Sequence, residues 1–171
     1  MTSELRGPRV NGMDLAELNA EIAAVEADVS EGDREASITS RWVGGLRSAA
    51  TSSFGGPTVF MGGDDEPGAM GMLLRSLAAC DIEVVVTRAT LLGVVIRELW
   101  IEVKGSFNVA SYLGVETAGD AGYQQVSLVV HLKTDGATLD QVQEILGALE
   151  GSPVGDTLRR SVPVTYELAV S

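Results

Sequence analysis

From Met13 to Asp28 the apolar residues Leu15, Leu18, Ile22 and Val25 recur every three or four positions. That spacing puts them on one face of a helix, with Glu17, Glu21 and Glu26 mostly elsewhere. Residues 1–12 read as a loose tail, and Ser30-Glu31-Gly32-Asp33 as a turn. Arg34–Val43 and Leu46–Ser53 flank Gly44-Gly45, the pattern of a two-residue hairpin. Thr58–Met61 is a short extended piece, and residues 62–68 form a glycine-rich loop. From Ala69 to Leu92 apolar residues run around most of a helical circumference, as in a helix that lies in a core.

The second half alternates. Val95, Leu99, Ile101 and Val103 share one face of a predicted strand, Val95–Lys104. Gly105–Gly122 has no period and reads as a loop. Val126, Leu128, Val130 and Leu132 mark a strand over Tyr123–Lys133. Thr138-Leu139-Asp140-Gln141 has the form of a capping box opening a helix to about Leu149. Ser152-Pro153 opens a second short helix to about Arg160. Val162, Val164, Tyr166, Leu168 and Val170 alternate as a last strand. The order of elements predicts an α+β fold with an antiparallel sheet. It divides the chain into an N-terminal extension with a helix (1–34) and a single domain (35–171).

Composition narrows the chemistry. A chain of 171 residues, 45% apolar with only three Phe, three Tyr and two Trp, supports one aliphatic core. Arg75, Asp81, Glu83 and Arg88 interrupt its longest apolar stretch, so no membrane span is expected. The N-terminus lacks the basic-then-apolar pattern of a signal peptide. One cysteine cannot form an intrachain disulfide, which fits a cytoplasmic protein. The net charge of -12, with Lys104 and Lys133 the only lysines, argues against nucleic acid as a partner. A lone histidine, His131, removes most zinc sites and catalytic triads. Asp64-Asp65-Glu66 could attract a hard cation but reads better as a solvated loop. No cofactor or metal is expected.

Four stretches then carry a resemblance. Trp42-Val-Gly-Gly-Leu-Arg47 is similar to a W-x-G-G-x-R motif in early strands of the OsmC/Ohr family. Leu73–Cys80 resembles its L-L-x-x-L-x-x-C helix, and Gly93–Gly105 the strand after it. Ser152-Pro-Val-Gly-Asp-Thr-Leu158 with Val162-Pro-Val164 resembles its C-P-[VY]-x-x-x-L segment. The resemblance implies an OsmC-like fold, an antiparallel sheet around a long buried central helix, in an intertwined homodimer. It also implies a thiol peroxidase acting on organic hydroperoxides, with active sites at the subunit interface. By that resemblance Cys80 is the attacking thiol and Arg47 the arginine that orients the thiolate. Ser152 occupies the position of the resolving cysteine. The family glutamate is expected nine or ten residues before Cys80, where Gly71 and Met70 stand; Glu66 lies nearer the loop.

The residues themselves leave two readings. Peroxide reduction needs a thiolate, and Arg47 would supply positive charge for it. Glu83, three residues after Cys80 on the same helical face, opposes that charge. Arg75 points to a different side. One reading is a one-cysteine peroxidase, in which Cys80 becomes a sulfenic acid resolved by an external thiol. The other is a non-catalytic dimer that binds a small molecule or serves as a scaffold. There Cys80 is a small buried hydrophobe and Ser152 a helix cap.

Overall fold

The computed structural model describes residues 8–116 and 120–170. They form two compact units. One takes the chain up to Arg75 together with Val103–Leu128; the other takes Ser76–Glu102 and the chain from Val129 onward.

Of the predicted loose tail, residues 1–7 lie outside the described residues, and the remainder opens the first unit as a hairpin. Strands β1 (Arg9–Val10) and β2 (Met13–Asp14) pair across Asn11-Gly12. Both turn residues have positive φ, 51° and 83°. Asn-Gly tolerates that conformation, and it is the turn signal that was available in the sequence. Asp14 then caps helix α1 (Leu15–Ala27), its carboxylate accepting from the amides of Ala16 and Glu17 at 2.9 and 3.3 Å.

A three-stranded antiparallel sheet follows, ordered β3 (Ile38–Gly44), β4 (Arg47–Ser52), β5 (Val59–Met61). The expected hairpin forms, with its turn one residue later: Gly44 ends β3 and pairs with Arg47, so Gly45-Leu46 make the turn, and both glycines have positive φ. Trp42 Nε1 donates to the Gly45 carbonyl at 2.9 Å, closing the turn from one side. The strand before it starts at Ile38, later than the expected Arg34.

Helix α2 (Ala69–Leu91) runs from the first unit into the second. Leu77, Asp81, Val85 and Ala89 recur at intervals of four and form its buried stripe. Its C-terminus is closed by Gly93 at φ +69°. The Val94 amide bonds to the Ala89 carbonyl and the Gly93 amide to the Thr90 carbonyl. That double bond is a Schellman motif, and its left-handed residue favours glycine. Val94 thereby turns back onto Ala89 in the core.

Strands β6 (Ile96–Phe107) and β7 (Tyr123–Thr134) pair in a sheet of their own. β6 continues past Gly105, which the sequence reading placed in a loop. A Cβ at Gly105 would meet the Tyr123 ring at 2.7 Å, so glycine is what lets that ring lie on the strand. Tyr123 also packs edge-on to Phe107, with centroids 5.3 Å apart, and its hydroxyl donates to the Met70 carbonyl at 2.9 Å.

Helix α3 (Leu139–Gly147) carries the expected capping box between Thr138 and Gln141. Its Ile145, fully buried, joins Val85, Ala89 and Val94 in the core of the second unit; Leu92, Ile96, Leu99, Leu132 and Leu149 pack around them. A 3-10 turn over Ala148–Gly151 leads to helix α4 (Pro153–Arg159), capped by Ser152.

The predicted last strand does not form. Residues 161–170 have no regular structure and pair with no described strand. Alternation dictates which way side chains would face in a ladder, but a strand also needs a partner edge for its amides and carbonyls. The apolar residues of this segment are left open, Tyr166 at 93% and Leu168 at 88% exposure.

Candidate functional site

Cys80 lies at the middle of α2, half-buried, and it is the single thiol of the chain. It stands at one end of an open cleft of about 410 Å3. Glu83, Val84, Thr87, Arg88 and Leu91 continue from it along one stripe of the helix, and Ala148, Gly151 and Pro153 form the facing wall. The lining is mainly aliphatic, with Glu83 and Arg88 as the charged groups. Arg88 is engaged at the edge, 3.7 Å from the Glu144 carboxylate.

Ser152 meets Cys80 directly. Its hydroxyl lies 3.4 Å from the Cys80 sulfur and donates to it. The same oxygen accepts from the Gly155 amide at 3.3 Å, the N-cap bond of α4. Ser152 is fully buried, so water does not compete for its proton. Ser152 is the helix cap that Ser152-Pro153 predicts, and it meets Cys80 across 72 residues, as its place at the resolving-cysteine position implies. Gly155 makes room for this arrangement. A Cβ there would sit 3.2 Å from the Ser152 oxygen and 3.3 Å from Nη1 of Arg159. Arg159 itself folds back to donate to the Glu150 carbonyl at 2.6 Å.

Arg47 belongs to the other unit, at the start of β4, one residue past the β3–β4 turn. Its guanidinium grips Glu66. Nε lies 3.1 and 3.2 Å from the two carboxylate oxygens, and Nη2 closes on Oε1. Arg47 also stands over the Phe60 ring, 5.8 Å from its centroid. The 62–68 loop delivers Glu66. Gly62, at φ +89°, donates to the Pro67 carbonyl, and the Glu66 amide donates to that of Gly63. A Cβ on Gly62 would fall 2.4 Å from the Leu46 carbonyl oxygen, so that approach requires glycine. The Gly63 amide completes the site at 2.9 Å from Glu66 Oε2.

These bonds favour the ionised forms. Donation from Arg47, with a further bond from Gly63, holds the Glu66 carboxyl below its ordinary value of 4.5, and the same pair pushes Arg47 higher. Glu66 is the residue that sequence reasoning undervalued. The resemblance implied a glutamate nine or ten residues before Cys80, where Gly71 and Met70 stand, whereas the carboxylate that pairs with Arg47 is Glu66 in the loop before the helix. The run of glycines around it was the available signal.

Among the described residues no group of His, Cys, Asp and Glu is arranged to hold a metal ion. Glu66 is drawn into the arginine pair, away from any cluster with Asp64 and Asp65. His131 stacks on Trp100, with centroids 4.4 Å apart and planes within 6°, and lies 3.6 Å from Glu102.

Residues 62–167 match the family of OsmC-like proteins. The chain belongs to that family. Solved structures agree on the fold. An OsmC-like protein from Mycoplasma pneumoniae is 20% identical over 74% of this chain and 89% of its own, with a TM-score of 0.62. An OsmC-like protein of unknown function from Vibrio cholerae is 12% identical over 73% and 94%, at 0.61. An organic hydroperoxide resistance protein from Elizabethkingia anophelis is 13% identical over 74% and 89%, at 0.53. No curated protein matches the chain. No described helix of this OsmC-like protein is long and apolar enough to cross a membrane.

Proposed function

We propose that this OsmC-like protein is a one-cysteine thiol peroxidase that reduces organic hydroperoxides in a reducing, cytoplasmic setting. One observation carries the reading: the only thiol of the chain opens on a mainly aliphatic cleft while a buried hydroxyl donates to its sulfur. The Cys80 sulfur attacks the outer oxygen of ROOH. The O–O bond breaks, the sulfur becomes a sulfenic acid, and ROH leaves with the second oxygen and a proton. No second thiol exists in the chain, so an external thiol displaces water from the sulfenic acid and forms a mixed disulfide. A second external thiol then releases Cys80 and departs as the disulfide.

Arg47 supplies the cation for the thiolate in this reading, and Glu66 is the carboxylate that orients it. Their fork-to-fork pairing supports that role, because it fixes the guanidinium plane. Aliphatic lining by Val84, Leu91, Ala148 and Pro153 suits an alkyl or aryl group on the peroxide.

The protein works as a homodimer in this reading. Open apolar side chains at Val164, Tyr166, Leu168 and Val170 support it, since a tail of that composition gains from a second copy to cover it. Light scattering at micromolar concentration is expected to find twice 17.9 kDa; a folded monomer overturns the dimer.

The deciding experiment treats the protein with cumene hydroperoxide and reads Cys80 by mass spectrometry with a sulfenate trap. One added oxygen on Cys80, and turnover on addition of dithiothreitol, is the expected result. A thiol that stays reduced under conditions that oxidise a control peroxidase leaves the alternative, a non-catalytic binding or scaffold protein.

A further inference from the structure

We propose that Ser152 is a positioning residue that holds and activates the Cys80 sulfur by donating its hydroxyl proton to it. The inference deepens the peroxidase reading, on which its biological purpose rests, but its chemistry is tested apart from any peroxide.

The hydroxyl has one proton and two lone pairs. One lone pair is spent on the Gly155 amide, and the oxygen stands 3.4 Å from the sulfur, within reach for its proton to be donated there. Ser152 is fully buried, so this donor is neither shared with solvent nor free to turn away. Bonds in series reinforce each other: the amide of Gly155 polarises the hydroxyl that serves the sulfur. A hydroxyl bond strengthens as its acceptor gains negative charge, so the donor favours the charge that the sulfur carries when it attacks. The other charged groups about the cleft pull both ways. On α2, Glu83 opposes that charge and Arg88 is shared with Glu144 of α3. From α4, Arg159 is turned to the Glu150 carbonyl. The Ser152 hydroxyl bonds to the sulfur itself. A cap residue thereby orients the sulfur without itself being open to oxidation.

Three variants separate donation from capping. Ser152→Ala removes both. Ser152→Asp keeps an acceptor for the Gly155 amide but offers the sulfur no proton. Ser152→Thr keeps both. The rate of Cys80 alkylation by iodoacetamide at fixed pH is measured on each, with the S–H stretching band read by Raman spectroscopy; one thiol makes both signals unambiguous. Loss of one hydrogen bond predicts a rate lower by roughly two- to twelvefold in Ser152→Ala and Ser152→Asp. The S–H band shifts in both, and rate and band return in Ser152→Thr. Wild-type rate and band in Ser152→Ala overturn the proposal. Should that variant not fold, the same result in folded Ser152→Asp overturns it. Hydroperoxide consumption is scored separately. A slowed alkylation beside an inert wild-type peroxidase assay upholds the Ser152 contact and sinks the peroxidase reading.

Discussion

Arg47 and Glu66 form a forked ion pair across 19 residues of sequence, the carboxylate reaching back from the loop before α2 to the strand that follows the Gly45-Leu46 turn. Arg47→Ala is expected to cut peroxidase turnover by one to two orders of magnitude while moving the melting temperature little, since a solvent-screened ion pair adds little to stability. Arg47→Lys is expected to rescue poorly, because an ammonium cannot make both bonds of the fork. Steady-state kinetics beside a thermal melt check both. Full turnover in Arg47→Ala removes the arginine from the mechanism.

The same pair sets a pH dependence. Glu66 titrates lower in the folded chain than in the unfolded one. Its contribution is therefore present above the unfolded value and lost as pH falls through the folded value. Wild type minus Glu66→Gln stability is expected to be flat near neutrality and to shrink only below about pH 4.5, the ordinary value for the group. Denaturant melts across that range test it; a difference that changes near pH 7 contradicts the assignment.

Ser152→Cys is expected to form an intrachain disulfide with Cys80. The Ser152 oxygen already lies 3.4 Å from the sulfur, so a small adjustment brings two sulfurs to bonding distance of about 2.05 Å. Mass spectrometry after mild oxidation should show the loss of two hydrogens. Two free thiols in the oxidised variant would mean that the backbone holds the positions apart.

Gly155→Ala is expected to disturb the site more than the fold. Its methyl would crowd the Ser152 oxygen at 3.2 Å and Arg159 at 3.3 Å. Alkylation of Cys80 should slow, with a stability loss of about 1–3 kcal/mol as for other overpacked positions. An unchanged alkylation rate would show that the hydroxyl tolerates the shift.

The second unit should be most sensitive at Ile145 and Leu77. Ile145 is fully buried, and Ile145→Ala is expected to cost about 2–5 kcal/mol. Leu77, at 4% exposure, should not accept a carboxylate, and Leu77→Asp is expected to prevent folding. A cooperative melt of Leu77→Asp would mean that its stripe of α2 is not core.

Local chemistry was legible without a structure. Helix α2, the Thr138–Gln141 capping box, the Ser152-Pro153 helix start and the glycine hairpin each follow from residues within a few positions of one another. Backbone propensities, caps and turns act over that range, and the family resemblance rode on the same short motifs. Two further local signals belong with them: Asn11-Gly12, which turns the first hairpin, and Gly105, which lets β6 run on beneath Tyr123. The contacts that matter most for chemistry are of another kind. Ser152 on Cys80 and Glu66 on Arg47 join residues far apart in sequence; the family resemblance implied the first meeting, and no period or spacing encodes the second. The tail from Val162 to Val170 shows the converse. Its alternation is strong, yet a strand exists only where another backbone completes its hydrogen bonds, and that is decided by tertiary or quaternary structure alone.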